Sequence, residues 1–350
     1  MTLDSILTWE LLLAAFAGGA FGAAIGALQS FTLAGLVVVI GEVYALVHRS
    51  LGVEPAIDLT GTVAFGVVLG PHVAFGGGAA AVAYAATRSD IDTGFVYHDA
   101  KHVTRGLGSR PDVLAVGGAF GAFGYAVAAV SGHYGVPTDP VALGVVVSAI
   151  AHRLLFGYSV IGDVVGSALD MSPFEREQRR QYDGPDPSVE ADGGTRLVVE
   201  PWLPYQYRWG DVAFLGLLVG VLGGYLAYLS GSAFLAFGLS VVALAFLCAG
   251  VDGIPVTHHM SLPASTVVVA SAGPSVTWTT SSIPLGDALL LGAAFGLVGG
   301  LLGELSQRVF YAHAETHFDP PAASIVLTSL LIAVLALASV LPSAAWIPLP

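Results

Sequence analysis

Two short segments set histidines beside helix-breaking residues inside long apolar runs. One is Gly70-Pro71-His72; the other is Pro255-Val256-Thr257-His258-His259-Met260-Ser261, with Pro263 close behind. A proline or glycine in such a run frees backbone carbonyls and amides that need partners, and a polar cavity is one place to find them. Neutral imidazole exchanges a proton near pH ~6.5 and ligates borderline metals, and Met260 adds a soft sulfur. His72, Thr257, His258, His259 and Met260 are therefore expected to line a pathway, with His72, His258 and His259 as candidate ligands for a bound transition-metal ion. An ammonium ion, a proton-coupled solute and a transition metal all suit this chemistry. The plainer reading of the same residues is a kinked packing helix whose histidines bond to nearby carbonyls.

Charges within apolar runs form a second set: Glu42, Arg153 beside His152, Asp163 and Glu304. A charge in hydrocarbon is costly enough to be a functional candidate by default. Coupling or gating is the expected role, and a structural ion pair such as Glu42 with Arg153 is the competing one. A third set is His98-x-x-x-His102 and His313-x-x-x-His317, with Glu315 and Asp319 nearby. A spacing of four would put both imidazoles on one helix face, where they could bind metal. A membrane-embedded, His-ligated metalloenzyme is thus one alternative, and a non-transporting scaffold or assembly protein is another. Pro320, directly after the second pair, argues against a continuous helix there.

These side chains sit in a chain of 350 residues that is 55% hydrophobic and 11% charged, with a mean hydropathy of +0.78. A soluble domain carries roughly a quarter charged residues, so the composition points to a multi-pass membrane protein. The net charge of −13, with Lys101 the sole lysine, argues against nucleic acid or anionic lipid as a partner and suits a halophilic source. Cys248 stands alone, so an intrachain disulfide is excluded. A Walker A loop needs a lysine after its glycines, and Lys101 is preceded by Asp99-Ala100. The first ten residues hold Asp4 and Glu10 and no base, unlike a cleavable signal peptide, so the first span is expected to be retained.

Apolar runs follow one another at 11–28, 31–47, 59–86, 113–130 and 141–169, then, after a polar stretch, at 212–229, 233–249, 254–272, 288–305 and 322–341. Each approaches the ~20 residues of a membrane helix. The expected fold is an all-α integral membrane protein of about ten transmembrane segments in two homologous five-segment halves, the third segment of each broken. The expected organisation is a first repeat over 1–170, a solvated cytoplasmic linker over 171–208 with one short strand near Thr195–Glu200, and a second repeat over 209–350. Matching motifs argue for duplication. Asp112 with GGAFGAFG at 117–124 resembles Asp287 with GAAFGLVG at 292–299, and GHYGVPTDP at 132–140 resembles AHAETHFDP at 312–320. The latter pairs His133 with His313 and Asp139 with Asp319, and the broken segments pair His72 with His258.

Nine of the twelve basic residues fall in the loops 87–111 and 171–208, which reads those loops as cytoplasmic. The halves are inverted if the third segment crosses fully, with Arg49 the one external base, and parallel if that segment is re-entrant, with Arg308 the exception instead; the length of the 59–86 run favours the inverted arrangement. Trp202, Tyr205, Tyr207 and Trp209 read as headgroup-level anchors. The function expected from all this is a transporter or channel in the cell membrane of a halophilic prokaryote. It would move a small cation or polar solute between the two halves, in the lipid bilayer, with homo-oligomerisation open.

Overall fold

The computed structural model describes residues 3–88, 99–181, 195–273 and 283–350. The described chain is mostly helical. The N-terminal part comprises α1 (Leu3–Ile6), α2 (Trp9–Ile25), α3 (Ala27–Ser50), α4 (Ala74–Ala85), α5 (Pro111–His133) and α6 (Pro140–Leu155), with a π-helical turn at Thr60–Ala64. A short helix α7 (Ser172–Glu175) precedes two antiparallel strands, β1 (Arg179–Gln181) and β2 (Thr195–Leu197). Then come α8 (Trp209–Ser230), α9 (Leu235–Val242), α10 (Leu244–Cys248), α11 (His258–Ala272), α12 (Leu285–Phe310) and α13 (Pro320–Leu337). Five of these, α3, α5, α8, α12 and α13, are long and apolar enough to cross a membrane. Large apolar side chains such as Leu36, Ile40, Phe214, Leu218, Leu290 and Val334 face outward, as lipid-facing helices require. The fold is consistent with an all-α membrane protein.

Local sequence fixes the helix starts. Asp139 accepts from the amides of Val141 and Ala142, Asp319 accepts from Ala322, and a proline follows each aspartate at the first helical position. Gly26, at φ 106°, joins α2 directly to α3, a turn that a side chain would strain.

Glycines set the packing. Gly19 of α2 lies on Gly117 and Gly121 of α5, and Gly220 of α8 lies on Gly292 and Gly296 of α12. A Cβ at any of these would overlap the facing backbone, so the helices approach as closely as small residues permit. The same packing order occurs on both sides of the molecule: α4 fits against α2, α5 and α6, and α11 fits against α8, α12 and α13. The two sides meet through α3 on α9 and through α6 on α13. Both pairs run antiparallel. Gly35 faces Val241 while Gly238 faces Val38, and the start of α6 meets the later part of α13, where Asp139 N–H donates to Ser329 Oγ at 2.9 Å. The end of α6 meets the approach to α13, where Arg153 Nε donates to Thr316 Oγ1 at 2.8 Å.

Three expectations change. The fifth apolar run does not stay helical to Leu169: α6 stops at Leu155, and Gly157, Gly162 and Gly166 take positive φ in the irregular segment beyond. The seventh run is broken at Ala243 into α9 and α10. The stretch 171–208 is not wholly solvated, because Arg196, Val198, Val199 and Glu200 are buried beneath it.

Candidate functional site at the junction of the two sides

Two cavities lie between the α3/α6 side and the α9/α13 side. The larger, about 350 Å³, is lined by the loops at one end of the bundle, through Lys101 to Thr104 and Glu200 to Pro204, and by Leu247, Val256, Tyr311 and His317. The smaller, about 150 Å³, is lined from the other end by Phe65, Asp139, Pro140, Phe234 and Trp346. Phe31, His258 and Asp319 belong to both walls. These three side chains form the partition between the cavities.

Aromatic packing builds the partition. The Phe31 ring stands edge-on to Phe75 at 5.9 Å, Phe237 at 6.1 Å and His258 at 5.0 Å. The His258 side chain is buried, and its Nδ1 has no hydrogen-bond partner. His317 is 3% exposed and bonds through neither ring nitrogen, with Nε2 4.0 Å from Asp319 Oδ1. Unpartnered polar atoms at this depth are costly in an apolar interior, so their presence beside a cavity carries weight. Asp139 and Asp319 each use one carboxylate oxygen to cap a helix, which leaves the other for the cavity that the residue lines.

The mouth of the larger cavity is a buried ion network. Lys101 Nζ donates to Glu200 Oε2 at 2.9 Å and to the Tyr311 carbonyl at 3.0 Å, and it lies 4.4 Å from the centre of the Tyr311 ring. Arg196 stands 3.4 Å from Glu200 and 3.5 Å from Glu315. Burial pulls the Lys101 amine down to about 8, against the opposing pull of Glu200. His102, also on this wall, is lowered to about 4 by burial and by Arg105.

Only part of the expected histidine set comes together. His258 lines both cavities, whereas His72, Thr257, His259 and Met260 line neither. His72 is packed within the N-terminal side, its carbonyl against Gly124 and its ring stacked 6.5 Å from Tyr125. His259 occupies the matching place on the other side, its carbonyl against Gly299 and its ring against Gly303. In packing, His259 is thus the counterpart of His72, one residue from the His258 that the sequence motifs suggest, and His258 lines the junction. Met260 packs its methyl end toward Gly300 of α12. His72, His258 and His259 do not converge as a metal site, and among the described residues no group of three His, Cys, Asp or Glu side chains is placed to hold a metal ion.

Each candidate coupling residue has partners within the protein. Glu42 accepts from Thr60 Oγ1 at 2.7 Å and from Ser232 Oγ at 2.5 Å, so two hydroxyls, not Arg153, satisfy it. Arg153 instead holds the loop before α13, through the hydroxyl and carbonyl of Thr316, with its guanidinium 5.5 Å from the Phe318 ring centre. Asp163 lies beyond the end of α6, its side chain 74% exposed and 3.2 Å from Arg180. Glu304 accepts from Arg308 and Gln307 one turn along its own helix, both at 2.5 Å. His313 sits in a turn and His317 in irregular chain between α12 and α13, not on one helix face, because Pro320 opens the next helix. His98 lies outside the described residues.

Asp319 carries a readable signal, since it stands beside the His313/His317 pair and an aspartate-proline pair occurs at both 139–140 and 319–320, whereas nothing in the local sequence of α3 distinguishes Phe31 from other apolar residues.

A family model described as a family of unknown function (DUF7973) matches residues 1–350. The chain belongs to this family. Neither a search of curated proteins nor a search of solved structures finds a match. For this DUF7973 member the geometry of the junction is the basis for a functional reading.

Proposed function

We propose that the protein is a multi-pass membrane transporter or channel for a small cation or polar solute, with its path between two pseudo-symmetric halves. The observation that carries this reading is the pair of cavities, one toward each end of the bundle, with Phe31, His258 and Asp319 lining both. A ligand site at the interface of two repeats, near broken segments, is the arrangement in which alternating access operates.

Ten crossings in two inverted halves fit the packing. Related helices that meet across a two-fold axis lying in the membrane plane must run antiparallel, as α3 with α9 and α6 with α13 do. With crossings in that order, every lysine and arginine except Arg49 falls at the end holding the loops 87–110 and 156–208. The positive-inside rule makes that end cytoplasmic. The acidic, lysine-poor composition suits the cell membrane of a halophilic prokaryote.

The test is solute flux into proteoliposomes at high salt, comparing wild type with Phe31→Trp, which overfills the partition. The expected result is flux above that of empty vesicles, lowered in the variant because the larger indole occupies space between the two cavities. Equal flux in the two proteins would refute a path through Phe31.

A further inference from the structure

We infer that the junction binds a small monocation bearing N–H donors, of the ammonium, methylammonium or guanidinium class, through the Asp319 carboxylate and the ring nitrogens of His258 and His317. This inference rests on the proposed path and names what it would carry.

The groups that face the junction are acceptors and aromatic rings. Asp319 caps α13 with one oxygen and lines both cavities, Asp139 does the same for α6 in the smaller cavity, and their carboxylates disfavour an anion there. The one buried cation on these walls, Lys101, stands at the loop end and is held by Glu200 at 2.9 Å. Arg153, held on Thr316, and Lys101 both lie near His317, and among the described residues no lysine or arginine forms an ion pair with Asp319.

His258 and His317 are each 3% exposed, and both carry ring nitrogens without a partner beside the cavity. A neutral imidazole offers one acceptor nitrogen, which an N–H donor can use. Sodium and potassium are hard cations that take oxygen ligands, so imidazoles serve them poorly. A stripped transition metal needs three or four converging ligands, and the described residues hold no such group. Phe31 packs edge-on with Phe75, which lines the larger cavity, and with Phe237, which lines the smaller, and aromatic rings attract desolvated cations. The cavity of about 150 Å³ on the Asp139 side has room for such an ion.

The experiment uses full-length protein in proteoliposomes, with radiolabelled methylammonium driven by an inside-negative potential and urea flux measured in parallel. Asp319→Asn is the informative variant, because asparagine caps a helix as well as aspartate does and so removes the charge while keeping the fold. Wild type is expected to take up methylammonium saturably, and the variant to lose at least about tenfold of that uptake, the scale of one charge-assisted hydrogen bond. Urea flux should differ little between the two proteins. Urea passage with no methylammonium uptake, or methylammonium uptake untouched by Asp319→Asn, would overturn the cation site and leave the path standing. Passage of neither solute would overturn both. A second readout needs no flux: methylammonium chloride should raise the melting temperature of purified wild type above that in equimolar sodium chloride, and not that of Asp319→Asn. No such rise in wild type would also overturn the inference.

Discussion

Lys101 is a buried base that gives up solvation to close one end of the molecule. Its amine is held by Glu200 and the Tyr311 carbonyl, and burial moves it from an ordinary 10.5 to about 8. Between those two values the unfolded chain keeps a proton that the folded chain has shed, so this residue makes stability rise with pH across that window. Thermal unfolding of detergent-purified protein from about pH 8 to pH 10 should therefore show a rising contribution in wild type that is missing from Lys101→Met. Arg196 remains 3.4 Å from Glu200 in that variant, so the carboxylate keeps a partner. Identical pH dependence in the two proteins would contradict this account of Lys101. Glu42 illustrates the opposite solution to the same problem. It reaches Thr60 on its own side of the molecule and Ser232 on the other, so its burial ties the two sides together without a counter-charge. That arrangement was not legible in the sequence, because serine and threonine hydroxyls carry no mark of which distant carboxylate they will meet.

Helices in this protein are held at short range by glycine. Along the α8/α12 contact a methyl group at Gly220 would overlap the Gly292 carbonyl, whereas one at Gly286, near the start of α12, would meet nothing within 4 Å. Gly220→Ala is expected to destabilise by about 1–3 kcal/mol through overpacking. Gly286→Ala should be neutral or stabilising by up to ~1 kcal/mol through helix propensity. Thermal denaturation of the two variants side by side checks this, and a harmless Gly220→Ala would mean the helices are not in close contact there. The glycine stripes were visible in the sequence, and so were the Asp-Pro starts of α6 and α13, since both depend on local residue type. Register and helix length were less visible. His72 pairs with His259 and not His258 because the carbonyls that meet Gly124 and Gly299 are set by packing across helices. Asp163 read as intramembrane because its neighbours are apolar, yet Gly157 had already turned the chain out of the helix at φ 81°.

At the scale of the whole molecule, the described helices form two sides that pack alike, meet through the antiparallel pairs α3/α9 and α6/α13, and leave cavities toward each end. The apolar composition and the run of hydrophobic segments made the membrane class readable at the outset. The junction was not, because it assembles Phe31 of α3, His258 of α11 and Asp319 at the start of α13, three positions far apart in the chain. The most direct measurement is cysteine accessibility in oriented membranes. Cys248 is the sole native cysteine, so Cys248→Ser gives a clean background in which Ala142→Cys reports the smaller cavity and Leu247→Cys the larger. A membrane-impermeant thiol reagent is predicted to modify Ala142→Cys only from the outside and Leu247→Cys only from the arginine-rich cytoplasmic side, with modification at either position stopping solute flux. Absence of labelling at both positions, or labelling that leaves flux unchanged, would contradict a path between the two halves.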